Sequence, residues 1–573
     1  MPGPSRRRSR RSPSTPKIAP KGFAPSPRNA SRFGRDAEAT ASVAGRRYGG
    51  SDVNDDIAKA PTGTTMTLRA LARFPERQAF GWDGGSLTYR ATLALIGRLQ
   101  AAMAAAGLAK GRTAAFLSAN SAETWCAGVA AQGLGLVVTW LHPLGSLADH
   151  LDVVEDSDAS ALIVDPKTHA ERGGELAAKA SDRLKVVLTM GRADFGRDVM
   201  AAAEKIGEAT PVDLTDADDY AIINYTGGTT GKSKGAIRRH RSTAASTLAV
   251  AADFEFPTVP RYLAAAPITH VSGSKVLPSL LKGGTVHLMK GFDPEKFLAT
   301  IEREKINFTL MVPTMIYVTL DHPKLEKTDL SSLELILYGA SPMSPTRLVE
   351  GLERIGPVFF QLYGQTECYP VSVLSRADHD PKRPELFASC GVPISSCSVT
   401  LRDDDNQEVA PGEAGEICVR APHAMERYWK RPEQTAETFK GGWLHTGDIA
   451  RADERGYLYI VDRKKDMIVS GGFNIFPREV EDVLSSHPDV AMAAVIGVPH
   501  EKWGEAVTAL IVAKAGTRPE PEALMQLVKD RKGGTHAPKQ VEFVESLPLT
   551  AVGKVDKKVL RAKYWTGQSR QVG

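Results

Sequence analysis

The chain is predicted to be an α/β protein with a large N-terminal part followed by a smaller C-terminal one. Three observations predict this. At 573 residues the chain exceeds what one ordinary hydrophobic core holds, so at least two domains are expected. From about residue 65, helix-like periods alternate with short apolar runs that end in Gly or Pro. After residue 391 the pattern turns to antiparallel hairpin signals, and beyond Arg463 a shorter unit begins.

Taken in order, the runs Tyr220–Tyr225, 285–289, 308–312, 333–338 and 358–363 read as strands of a largely parallel sheet system. Several stop at a Gly-containing turn. In open α/β sheets ligands collect at the carboxyl ends of the strands, so these turns are where a site is sought. Residues 398–401, the turn 403–406 and 416–420 read as a hairpin. The last unit is expected to hold a helix opened by proline at Pro477–Ser485, a strand over 490–497 and a helix near 521–529.

Hydrophobic residues make up 42% and charged residues 24%, the balance of an ordinary globular protein. No apolar run of about 18 residues is present, so a membrane span is not expected. The formal charge of +5 is misleading. Residues 1–50 hold 12 Lys and Arg against 2 Asp and Glu, which leaves 60 basic and 65 acidic residues in the remainder. The basic character therefore belongs to a tail, expected to be disordered because it has little to bury. No nucleic-acid partner is expected for the acidic body. The tail reads as a dispensable extension or an early start codon, with anionic-surface binding or an organelle transit role as sharper alternatives. Five cysteines are scattered with no Cys-x-x-Cys pair, which argues against zinc and disulfides and fits a reducing cytoplasm.

One loop carries strong chemistry. It reads Tyr225-Thr226-Gly227-Gly228-Thr229-Thr230-Gly231-Lys232-Ser233-Lys234-Gly235. Glycines let successive backbone N–H groups converge on one anion. Thr226, Thr229 and Thr230 add hydroxyls, and Lys232 and Lys234 add charge. At about 1.5–3 kcal/mol for each hydrogen bond to a charged group, a handful suffices for a triphosphate. A Walker A loop needs glycine five residues before Gly231, where Thr226 stands, so a P-loop is excluded.

The loop resembles the signature of the adenylate-forming superfamily, which includes acyl-CoA synthetases, coumarate-CoA ligases, luciferases and adenylation domains. Gly228 and Ser233 stand where the family usually has serine and proline. The resemblance continues in order over roughly residues 65–562. Tyr338-Gly339-Ala340-Ser341 resembles the adenine-side strand end, and Tyr363-Gly364-Gln365-Thr366-Glu367 the next core motif. The resemblance implies Tyr363 against adenine, Thr366 near the α-phosphate and Glu367 as a Mg²⁺ ligand. Trp443-Leu444-His445-Thr446-Gly447-Asp448 implies Asp448 on the ribose hydroxyls. Asp462-Arg463-Lys464-Lys465-Asp466 implies nucleotide contact by Arg463 and a hinge at Lys465. Ser470-Gly471-Gly472-Phe473-Asn474 resembles the loop that lines the pantetheine path, and the motif 548–554 implies Lys554 as catalytic lysine.

The resemblance also implies a fold: a large domain over 51–463 with parallel-type sheets and a small β-barrel, and a small mobile α+β domain over 464–573. It implies ATP, Mg²⁺ and coenzyme A as cofactors or co-substrates, and acyl-adenylate formation followed by thioester formation. His270 stands where peptide-synthetase domains carry an aspartate for the substrate amine, which disfavours an amino acid and leaves His270 at the acyl site. The stretches 141–150 and 462–481 resemble bacterial fatty-acid-CoA ligases, so a fatty acid is expected, with aromatic or cinnamic acids as the alternative. Nineteen residues follow Lys554, too few for a fused carrier domain, so the acceptor is coenzyme A or, less favoured, a separate acyl carrier protein. A homodimer is possible. The rival from another class is a silent nucleotide-binding scaffold, against which the joint presence of Glu367, Asp448, Arg463 and Lys554 argues.

Overall fold

The computed structural model describes residues 61–226, 233–341, 343–463, 466–471, 473–550 and 554–565. The expected tail 1–50, the loop positions Gly227, Gly228, Thr229, Thr230, Gly231 and Lys232, the expected hinge Lys465, and Gly472 all lie outside them.

The large part is built on two broad sheets. In the first, six strands run parallel, in the order Phe359–Tyr363, Leu335–Gly339, Phe308–Met311, Arg261–Ala264, Thr285–Leu288 and Gln78–Trp82. Antiparallel strands flank them on both edges. The second sheet has a parallel core of Tyr220–Tyr225, Val137–Trp140, Thr113–Leu117, Ala159–Val164 and Val186–Thr189. The strands Thr113–Leu117, Ala159–Val164, Phe308–Met311 and Leu335–Gly339 are buried on both faces, which is why they read as unbroken apolar runs. Helices Tyr89–Ala105 and Ala122–Gly133 pack in the main core with strands of both sheets. Thr88 and Ser121 cap their first turns.

Asn120 ties the two sheets together at their carboxyl ends. It follows the strand Thr113–Leu117 and is 7% exposed. Its Nδ2 donates to the carbonyls of Ala264 (3.0 Å), Ala266 (3.0 Å) and Met289 (2.8 Å), and its Oδ1 accepts from Ile268 N–H at 2.8 Å. Ala264 and Met289 end neighbouring strands of the other sheet. Four bonds at about 1 kcal/mol each make this residue a fixed corner for everything built above it.

The antiparallel unit expected as a barrel is a four-stranded sheet in the order Ser398–Arg402, Gly415–Arg420, Leu444–Ala452, Leu458–Arg463. Among the described residues its outer strands do not pair with each other, so the ring stays open. The physical reason is that Leu458 spends its backbone groups elsewhere: its carbonyl accepts from Cys390 N–H and its N–H donates to Gly391.

The small part has a long hairpin, Val490–His500 with Gly504–Ala513, against helices Pro477–Ser485 and Pro521–Lys532. Gln540–Phe543 joins the hairpin in parallel. It meets the large part through Asp462, whose Oδ2 accepts from Arg478 N–H at 3.0 Å. Burial pushes the Asp462 carboxyl up to about 6. Lys557 moderates that rise, and itself pairs with Glu481 at 2.8 Å. Among the described residues no helix is long and apolar enough to cross a membrane.

Candidate active site

A cavity of about 3200 Å³ opens above the carboxyl ends of the strands and reaches the small part. Thr226, Lys234, His270, Ala340, Tyr363, Thr366, Glu367, Asp448, Arg463 and Lys554 all line it. Three hundred residues of sequence separation thus collapse onto one surface. Gly339 and Gly471 do not line it.

The strands that flank the Gly- and Thr-rich loop, Tyr220–Tyr225 and Gly235–Arg239, pair antiparallel with Tyr225 opposite Gly235. Its neck is closed twice: Thr226 N–H donates to the Lys234 carbonyl at 3.0 Å, and Lys234 N–H to Thr226 Oγ1 at 3.3 Å. Tyr225 anchors the neck through its hydroxyl on Asp156 at 2.8 Å, and Asp156 also pairs with Arg431. The Lys234 ammonium lies 5.1 Å from the Tyr428 ring centre.

The strand Leu335–Gly339 ends at the cavity. A Cβ on Gly339 would stand 2.3 Å from the Leu362 carbonyl oxygen, so only glycine permits this approach of neighbouring strands. Ala340 follows with φ of +67°, a left-handed conformation that costs a non-glycine residue energy and turns the chain along the cavity wall.

Asp448, 4% exposed, is the hub of the next wall. Its Oδ2 accepts from the Tyr363 hydroxyl at 2.7 Å and from Gln365 Nε2 at 2.5 Å. Its Oδ1 faces Arg463 Nε at 3.2 Å. The two residues sit opposite each other on paired strands, so sheet register alone brings them together. Asp448 is the first cause that holds the Arg463 guanidinium above its usual range. Burial, then the Asp448 charge, push the Tyr363 phenol well up, so it donates as a neutral group.

Glu367 receives the Tyr428 hydroxyl on Oε1 at 2.6 Å. Arg238, fully buried, donates to the Thr366 carbonyl from below and to Asn224 Oδ1 at 3.2 Å. His270 packs edge-on against His142, ring centres 4.4 Å apart, and its Nδ1 meets Thr269 Oγ1 at 2.8 Å. Burial, then His142, push His270 down to about 3. Burial, then His150, push His142 down to about 4. Both rings are therefore neutral near pH 7. The Lys554 N–H donates to Thr550 Oγ1 at 3.2 Å and its carbonyl accepts from Thr550 N–H at 2.7 Å.

Gly471 lies elsewhere, with φ of +59° and its N–H on the Trp503 carbonyl at 2.8 Å. A Cβ there would come within 2.8 Å of the Trp503 ring. Sequence reasoning missed Tyr428, Arg238 and His142 as site residues. Tyr428 holds Glu367 from 61 positions away, and no local spacing announces that.

The donor set fits a nucleotide and a hard cation. It offers a buried carboxylate for hydroxyls, a phenol ring beside it, cations at Lys234, Arg463 and Lys554, and a positioned carboxylate at Glu367. Fold and site together define an adenylate-forming enzyme. The chain belongs to the AMP-binding enzyme family, whose pattern matches residues 68–429, with the family's C-terminal domain matching 479–554. It is similar to a medium/long-chain-fatty-acid–CoA ligase of Mycobacterium tuberculosis, 42% identical over 540 residues that span 91% of this chain and 94% of the relative. A feruloyl-CoA synthase of an Amycolatopsis species is 38% identical over 87% of this chain and 98% of its own length. Among solved structures, the amide bond synthetase McbA of Marinactinospora thermotolerans superposes with a TM-score of 0.81 at 34% identity, covering 87% of this chain and 100% of that one.

Proposed function

We propose that this protein is an AMP-forming acyl-CoA synthetase that converts a fatty acid and ATP to acyl-adenylate and pyrophosphate, then transfers the acyl group to coenzyme A. The observation that carries the reading is the convergence of Lys234, Glu367, Asp448, Arg463 and Lys554 on one cavity. Its named relative in Mycobacterium tuberculosis supports the substrate class. So do the apolar walls Trp125, Val129, Val138, Trp140 and Leu277.

In this reading the substrate carboxylate attacks the α-phosphorus and pyrophosphate leaves. Such chemistry needs positioning and charge neutralisation more than covalent help. Mg²⁺ bound at Glu367 would neutralise phosphate oxygens. Asp448 accepts from the ribose hydroxyls while Tyr363 and Gln365 hold it in place. Arg463 and Lys554 counter charge at the phosphate and carboxylate oxygens. The loop residues Thr226 to Lys234 cradle the outer phosphates. Neutral His270 and His142 present no charge to the acyl chain, which suits an apolar substrate.

Residues 51–463 serve as the adenylating domain and 464–573 as a domain that turns about Lys465. That turn withdraws Lys554 and brings Gly471 and Gly472 to the pantetheine path. A reducing cytoplasm suits the five buried, free cysteines. A cinnamic-type acid is the second reading, supported by the ring side chains of Trp140, His142 and His270 lining the cavity and by the feruloyl-CoA synthase relative.

Pyrophosphate release across a panel of fatty and hydroxycinnamic acids, with and without coenzyme A, tests this. Release with medium or long fatty acids and a CoA-dependent thioester is the expected result. Release without thioester would point to a carrier protein as acceptor, and no release with any acid would point to a scaffold.

A further inference from the structure

Beneath the nucleotide wall, and outside the cavity lining, lies a buried group of sulfur and nitrogen atoms that the adenylating chemistry does not use. Cys368, Cys397 and His423 offer ligand atoms that all lie within 4.8 Å of one another. Cys368 and His423 are fully buried and Cys397 is 8% exposed. Sequence spacing gave no sign of it, because the cysteines stand 29 residues apart in no ligand motif. The fold assembles the group from three places. Cys368 directly follows Glu367, Cys397 directly precedes the strand Ser398–Arg402, and His423 lies just past Gly415–Arg420. A β-bridge between Cys368 and Ala424 sets the first beside the third.

The histidine is prepared as a ligand. Its Nε2 lies 2.6 Å from the Pro370 carbonyl oxygen, which can only accept, so Nε2 carries the proton. That leaves Nδ1 with its lone pair, buried without a partner of good hydrogen-bond geometry and beside the Cys368 thiol. A carbonyl fixing one ring nitrogen while the other turns toward thiols is the usual support of a metal-binding imidazole.

We propose that Cys368, Cys397 and His423 form a buried site for one thiophilic d¹⁰ cation. Two thiolates and an imidazole are the soft donor set that selects copper(I) or zinc over magnesium. Loading releases the two thiol protons to solvent, forms two metal–sulfur bonds and one bond to Nδ1, and involves no change of oxidation state. Ligand atoms around such an ion stand about 3.5–3.8 Å apart, so a pair at the 4.8 Å limit closes by about 1.0–1.3 Å. Copper(I) matches best. The three donors suit its low coordination number, and the single negative charge of its bis-thiolate complex is offset by the buried Arg238, which donates to the His423 carbonyl at 3.5 Å. The ion would join the antiparallel sheet to the strand end that carries Glu367.

The test uses the full-length protein purified without chelators under reducing, oxygen-free conditions. Copper(I) is delivered in competition with a chromogenic chelator, and cadmium is added separately to follow the thiolate-to-metal absorption of two sulfurs per ion. The expected result is one equivalent of either ion per chain, a cadmium band of two-thiolate intensity and a raised Tm. Binding should fall at least tenfold in Cys397→Ser and in His423→Gln and stay intact in Cys126→Ser, a cysteine buried in a separate core. The cadmium band on the unmodified protein keeps the test decisive if a variant does not fold. Absence of saturable binding, a band unaffected by Cys397→Ser, or a Cys368–Cys397 disulfide that resists reduction in the purified protein would overturn the proposal.

Discussion

Replacing Asp448 by asparagine removes one charge and swaps one acceptor for a donor at the hub of the nucleotide wall. The native carboxylate takes Tyr363 and Gln365 on one oxygen and Arg463 on the other. An amide turned either way sets its NH₂ against at least one of these donors, so a hydrogen bond is lost in every orientation. At 3.2 Å and an effective dielectric near 20, the gross attraction of Asp448 for Arg463 is about 5 kcal/mol. Arg463 is 39% exposed, so water restores most of that, and a net stability loss of about 1–2 kcal/mol is expected. A hydrogen bond from a nucleotide hydroxyl to the carboxylate is worth about 1.5–3 kcal/mol, which corresponds to a rise in KM for ATP of about 10- to 150-fold. Acid-dependent ATP–pyrophosphate exchange measures that KM with ATP and with 2′,3′-dideoxy-ATP. Native protein should strongly prefer ATP, and Asp448→Asn should lose most of that preference. An unchanged KM together with an unchanged preference would refute the assignment of Asp448 to the ribose.

Other expectations follow from the same geometry. Tyr428→Phe removes the donor that holds Glu367 Oε1, and should raise the Mg²⁺ concentration for half-maximal exchange by about 3- to 30-fold, since water replaces part of the bond. Gly339→Ala forces a methyl within 2.3 Å of the Leu362 carbonyl; a cost of about 1–3 kcal/mol is expected, read as a lowered Tm and denaturation midpoint. His142 and His270 are pushed down to about 4 and 3, below the unfolded value of 6.5. The unfolded chain therefore binds more protons below pH 6.5, and stability falls as pH drops through that window. At pH 5 the loss is at most about 2 kcal/mol for each ring, and His142→Phe should flatten the fall of Tm between pH 7 and pH 5.

Much of the fold was legible because its strands are locally consistent. The run Tyr220–Tyr225 and the helix Pro477–Ser485 form over the expected residues, the other expected strands of the large part differ by a residue or two at their ends, and the strand expected over 490–497 runs on to His500. Prolines at the first helical turn and uninterrupted apolar runs are signals that the chain carries locally. The residues that meet at the cavity were picked out by ordered motifs, several of which end or cross strands of the described sheets. What escaped is the matter between motifs. Tyr428 reaches Glu367, Arg238 reaches the Thr366 carbonyl, and Leu458 pairs with Cys390 and Gly391 in place of closing a barrel. These are contacts of sheet packing across tens to hundreds of positions, and neither periodicity nor spacing encodes them. Cys368, Cys397 and His423 escaped for the same reason: ligand motifs are recognised by short spacing, and here the spacing is tertiary.

In the proposed reaction one cavity carries out adenylation with Lys554 as its charge-neutralising group, and Lys554 then leaves. The direct measurement is Lys554→Ala assayed in two halves. Pyrophosphate release from ATP and the fatty acid should drop by about 10²–10³. Thioester formation from supplied acyl-adenylate and coenzyme A should stay near the native rate. Equal impairment of both halves, or an unimpaired first half, would contradict the account.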